Sequence, residues 1–172
     1  MPAPERLDRR AFLARAATAA AAMGLAACGA RAPTCGTADR LRDRALTCLD
    51  AVLDSLLPGD AGAPGARDVR AAAYVDAALA HDVLSAEDCA ALRAGLAYLE
   101  DRGFAALSPA DREALLTAWL PTREGRAFFR PTMSLALEAW LGDPVHGGNP
   151  DGRVWAWLGH TPGFPRPPAE AG

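Results

Sequence analysis

Ser108-Pro109-Ala110-Asp111-Arg112-Glu113-Ala114-Leu115-Leu116-Thr117-Ala118-Trp119-Leu120-Pro121 is the stretch that decides the fold class. A serine that can accept a backbone N–H stands first, proline follows at the position where a missing N–H costs nothing, and an acid sits in the first turn. Leu115, Leu116, Trp119 and Leu120 then recur at helical spacing until Pro121 ends the run. Nothing in it alternates with a period of two, so it reads as an amphipathic helix and not a strand.

The same grammar extends in both directions. Toward the N-terminus, Ser85 can cap a helix with Asp88 three residues on, running to about Asp101 and stopped by Gly103. His81-Asp82 separates it from a helix over about Ala66–Ala80, with Val69, Ala73, Ala77 and Ala80 inward. Before that, Leu41, Ala45, Cys48, Val52 and Leu56 share one face of a helix spanning about Ala38–Leu57, which Pro58-Gly59-Asp60 stops. Toward the C-terminus, Thr122 can cap a long helix through Phe128, Phe129, Met133, Leu137, Trp140 and Leu141. Pro131 inside it is expected to kink it or split it near Arg130. Gly142 to Gly152 is turn chemistry throughout, and a short segment, Arg153 to Leu158, carries Trp155 and Trp157. With no strand pattern and no repeat, the expected fold is all-α, an irregular bundle of five or six helices with a long Gly/Pro-rich C-terminal loop.

The first 28 residues do not belong to that bundle. Arg6, Arg9 and Arg10 precede an Ala-rich apolar run, Ala16–Ala27, which closes on Leu25-Ala26-Ala27-Cys28. Basic region, short apolar region and small-residue end are the layout of a signal peptide. The apolar run is 12 residues, and a membrane-spanning helix needs about 20. Arg9-Arg10-Ala11-Phe12-Leu13 resembles the twin-arginine export motif, with Arg9, Arg10, Phe12 and Leu13 at its marked positions. The end resembles a lipoprotein cleavage box, in which Cys28 becomes the first mature residue and takes lipid. The expected organisation is a signal peptide over 1–27, a tether over 28–37, a helical domain over 38–164 and a disordered tail over 165–172. A periplasmic, membrane-associated location follows.

Removing 27 residues leaves 145, enough for one domain with a real core, and a net charge of about −5. All 18 basic residues of the chain are arginines, and no basic patch survives in the pattern, so nucleic acid is not an expected partner. Export to an oxidising compartment favours disulfides. Among Cys35, Cys48 and Cys89, the helical faces lean toward a Cys48–Cys89 pair, with Cys35 the other candidate. Three reduced, buried thiols are the alternative. No Cys-x-x-Cys spacing exists, so no zinc or iron–sulfur site is expected.

Catalytic motifs are missing from the pattern. There is no Gly-x-Ser-x-Gly, no His-Glu-x-x-His and no Gly-x-Gly-x-x-Gly, so neither a catalytic residue nor a cofactor site is expected in this chain. What stands out is the loop after an aromatic helix. Loops of that length are functional or disordered, and tryptophans anchor interfaces. The expected partner-binding residues are Asp143, His146, Gly147, Gly148, Asn149, Asp151, Gly152, Trp155 and Trp157. Gly147 and Gly148 would offer bare backbone to another chain. The competing reading is that the loop caps the domain's own core.

Ala127-Phe128-Phe129, then Gly142-Asp143-Pro144-Val145-His146-Gly147-Gly148-Asn149-Pro150-Asp151-Gly152-Arg153-Val154-Trp155, then Leu158-Gly159-His160-Thr161-Pro162-Gly163 resemble the end of the gluconate 2-dehydrogenase subunit 3 family. Leu56-Leu57-Pro58-Gly59-Asp60, Pro64-Gly65-Ala66 and Ala73-Tyr74-Val75-Asp76 resemble its first helices. His146, where the family usually has Tyr, and Pro131 depart from the pattern. The resemblance implies a small, non-catalytic subunit of a membrane-bound dehydrogenase. The large subunit, of the glucose-methanol-choline type, holds FAD and lacks a signal of its own; a cytochrome c subunit often passes the electrons on. The small subunit carries the export signal for both. A stand-alone envelope lipoprotein with a chaperone or structural role is the alternative, and an enzyme built on His146 and Asp143 is a distant third.

Overall fold

The computed structural model describes residues 40–81 and 83–162, all within one compact unit, Thr34–Gly172. The signal peptide, the tether and the tail expected over 165–172 lie outside the described residues. Among the described residues there are six α-helices and no strand: α1 (Asp43–Leu56), α2 (Ala71–Ala80), α3 (Ala86–Glu100), α4 (Pro109–Trp119), α5 (Arg123–Leu141) and α6 (Arg153–Leu158). None of them is long and apolar enough to cross a membrane.

Three of the helices begin as their side chains dictate. Ser85, Ser108 and Thr122 each accept the backbone N–H three residues on, from Asp88, Asp111 and Gly125 at 3.1, 3.2 and 2.9 Å. The first two helices depart from the expected bounds, each for a tertiary reason. α1 starts at Asp43, not near Ala38, because Arg40–Arg42 is held by Asp76 of α2. The buried Asp76 carboxylate accepts from the Leu41 N–H at 2.7 Å and from Arg40 Nη1 at 3.2 Å. α2 starts at Ala71, because Arg70 adopts a left-handed conformation with φ 58° and breaks the turn formed over 66–70. That break rephases the helix. Ala71, Val75, Ala78 and Leu79 face the core, whereas Ala73, expected inward, is exposed and Ala77 and Ala80 are half-buried.

α5 is the helix the others are arranged around: α3 and α2 pack along it, and α1 packs on α2, α3 and α4. It runs undivided through Pro131, so the split that was one of the two expected outcomes there does not occur. The proline lacks an N–H, and at the next residue the Thr132 hydroxyl donates to the Phe128 carbonyl, one turn back, at 2.7 Å inside the core. Where α3, α4 and α5 meet, Tyr98 stacks on Trp119 at 4.5 Å, Trp119 lies 5.2 Å from Phe128, and Phe128 meets Phe129 edge-on at 5.5 Å.

Gly95 makes that cluster possible. A Cβ there would lie 2.1 Å from Cδ2 and 2.8 Å from Cβ of the fully buried Phe128. Rotating the ring cannot relieve a contact that includes its own Cβ. Gly95→Ala should gain about 1 kcal/mol of helix propensity and lose more to overpacking. We expect a net loss of about 2 kcal/mol, seen as a lower urea midpoint at unchanged slope. A variant as stable as the parent would show that α3 and α5 are not in this close contact.

Cys89 is disulfide-bonded and Cys48 is a free, buried thiol, so the pair expected between them is not formed. A shared inward direction is not sufficient for a disulfide; Cα atoms must also come within about 7 Å. Burial pushes the Cys48 thiol up to about 11, the Glu100 carboxylate adds to this, and Arg112 and Arg44 oppose it. Cys28 and Cys35, the two other cysteines, lie outside the described residues.

Candidate partner-docking surface

The loop after α5 is a built structure. The Asp143 carboxylate accepts from the Val145 N–H at 3.1 Å and starts a 3-10 turn, Pro144–His146. The chain then folds back onto α5, where a Cβ on Gly148 would meet the backbone of Ala139, 2.5 Å from its oxygen and 2.6 Å from its Cα. Asn149 follows, 0% exposed and left-handed at φ 45°. Its Nδ2 donates to the Gly142 carbonyl at 3.2 Å, and its Oδ1 accepts from the buried Val154 N–H at 2.8 Å. One side chain thus ties the first residue of the loop to the first turn of α6, and satisfies a donor that α6 leaves open.

This places the expected docking residues in three groups. Gly148 and Asn149 are internal, so Gly148 does not offer bare backbone to another chain. Asp143, Gly152 and Trp155 are half-buried, and His146, Gly147, Asp151 and Trp157 are exposed. The competing reading of the loop, that it caps the domain's own core, holds for its inner half. Trp155 is held by its indole N–H, which donates to the Leu141 carbonyl at 2.8 Å, and by His160 edge-on at 5.6 Å.

Trp157 differs. It packs on Trp140 at 5.6 Å yet stays 46% exposed, and Leu141 and Leu158 beside it are 45% and 50% exposed. Trp140 is fixed from the other side, its indole N–H donating at 2.8 Å to the Pro64 carbonyl in the α1–α2 loop. That loop is itself rigid: Asp60 accepts from the Gly62 and Ala63 N–H groups, and Asp68 accepts from Gly65 N–H while pairing with Arg153 of α6 at 3.2 Å. Leu137, one turn before Leu141, is exposed as well. Leu137, Leu141 and Leu158 were not among the expected partner-binding residues. Their signal is helix phase: Leu141 stands about 200° around the axis from the buried Ala139, so a helix apolar at both positions has more than one apolar face. The outcome is three exposed leucines and an exposed tryptophan carried on α5 and α6, the tryptophan braced by Trp140.

His146 lines a cleft of about 300 Å³ with Tyr74, His81, Leu135 and Glu138. The Tyr74 hydroxyl donates to Glu138 at 3.3 Å, and burial, with the Glu138 carboxylate second, raises its pKa. Among the described residues no three His, Cys, Asp or Glu side chains are placed to hold a metal ion. The export residues Arg9, Arg10, Phe12 and Leu13 and the lipid site Cys28 lie outside the described residues.

The model of the gluconate 2-dehydrogenase subunit 3 family matches residues 43–163, about seven-tenths of the chain and all six helices, so the chain belongs to that family. No curated protein and no solved structure matches it.

Proposed function

We propose that this member of the gluconate 2-dehydrogenase subunit 3 family is the non-catalytic small subunit of an FAD-dependent dehydrogenase of the glucose-methanol-choline type, acting on a sugar, sugar acid or alcohol. In this reading the chain brings the flavoprotein through twin-arginine export and stays bound to it in the periplasm, with Cys28 lipidated on the membrane. FAD belongs to the large subunit and haem c to a cytochrome partner. Family membership supports the setting in a dehydrogenase complex.

The observation that carries the docking role is the set of Leu137, Leu141, Trp157 and Leu158, exposed on a frame that buries Val154 and half-buries Trp140. A half-exposed tryptophan braced by another is the type of residue that anchors an interface, because its ordering cost is already met in the free protein. Truncating such an anchor costs ~2 kcal/mol or more, roughly thirtyfold in affinity. We expect Trp157→Ala combined with Leu141→Asp to lose co-purification with the flavoprotein while the variant keeps its helical circular dichroism. Intact co-purification from a folded variant would put the interface elsewhere. Recovery of the parent chain with no flavoprotein would instead favour a stand-alone lipoprotein.

A further inference from the structure

We propose that Arg40, Arg42 and Arg44 form a binding site for the phosphate headgroups of anionic lipids, a second membrane contact beside the acyl anchor. Together they line a cleft of about 530 Å³ between the start of α1 and the middle of α3. Among the described residues, Asp76 pairs with Arg40 at 3.2 Å and Glu100 lies 3.8 Å from Arg44, a loose contact. A guanidinium carries five donors in a planar fork, and one oxygen at 3.2 or 3.8 Å leaves most of them open to a phosphate. Arg42 and Arg44 are exposed, and the mature chain around them is acidic overall, so the cleft is a local reversal of sign.

Position in the sequence selects a membrane over a soluble phosphate. Arg40 stands twelve residues after Cys28, so a lipid on that cysteine would keep the cleft within about 40 Å of the bilayer. A short tether of this kind raises the effective concentration of headgroups to the millimolar range, where contacts too weak to act alone become occupied. Stable attachment commonly uses such a pair of signals, acyl chain and basic patch. The proposal rests on the lipid-anchor part of the functional reading, and its test removes the lipid so that the two fail separately.

The full chain carrying Cys28→Ser is mixed with vesicles of phosphatidylcholine alone or of phosphatidylcholine with phosphatidylglycerol, and bound protein is sedimented. Phosphatidylcholine measures whatever the apolar N-terminal run contributes. Phosphatidylglycerol should add binding that disappears as salt rises from about 0.1 to about 1 M, because the Debye length falls from about 10 to about 3 Å. In the same background Arg42→Ala with Arg44→Ala should weaken that added binding roughly twenty-five-fold, about fivefold for each arginine, and the lysine pair, which restores the charge without the fork, should recover only part of it. Phosphatidylglycerol binding that is unchanged in an alanine pair of parental helical circular dichroism would overturn the proposal. The acyl mass of the unmutated chain reports on the anchor itself.

Discussion

Gly148→Ala should destabilise this domain by about 3–5 kcal/mol and lower its melting temperature by roughly 10 °C. The added methyl group has no soft neighbour to displace: it would stand 2.5 Å from the Ala139 oxygen and 2.6 Å from the Ala139 Cα, both backbone atoms in the last turn of α5. The loop must therefore lift. Lifting separates Asn149 from the Gly142 carbonyl and the Val154 N–H, two hydrogen bonds of about 1 kcal/mol each. It also exposes Val154, which is fully buried, at a cost of about 1.5–3 kcal/mol. Differential scanning calorimetry gives the shift directly. A melting temperature equal to that of the parent would mean that the loop does not sit on α5, and the fixed frame beneath Trp157 would go with it.

The helix starts at Ser85, Ser108 and Thr122 were legible because a cap is a local device: donor and acceptor are three residues apart, and no other part of the chain is needed to recognise them. The start of α1 was not, because what stops it is Asp76, thirty-five positions away from the Leu41 N–H it binds. Arg70 misled in a different way. Arginine has no preference for the left-handed region, so nothing at that position announced the break that turned Ala73 outward.

The packing of the loop after α5 was half legible for a related reason. Glycine reads alike in sequence whether it exposes backbone to a partner or lets the chain close on itself. Gly95 and Gly148 both do the second, each against a particular residue of α5. Leu137 and Leu141 read only as apolar members of the long helix, because hydrophobic spacing shows that a position is apolar, not which neighbour covers it. The six-helix class survived these local errors because it depended on the period of the pattern and not on its phase.

Replacing Arg9 and Arg10 together by lysine should bring periplasmic dehydrogenase activity close to background while leaving the cytoplasmic pool of both chains intact. In the proposed reading the paired arginines are an address read by a receptor, not an anchor, so lysine keeps the charge and removes the geometry that is read. If the flavoprotein has no address of its own, its export depends on being bound to this chain before translocation, and the twin-arginine route, which carries folded cargo, permits that order. The bound state must then form in the cytoplasm and survive transport, which the set of Leu137, Leu141, Trp157 and Leu158 is suited to support because its frame is ordered without a partner. Fractionation with immunodetection of both chains, followed by an activity assay on each fraction, separates the possibilities. Both chains stranded in the cytoplasm is the expected result. A flavoprotein still fully exported while this chain is retained would sink the escort role and leave docking as a separate question, to be answered by the Trp157 and Leu141 variant.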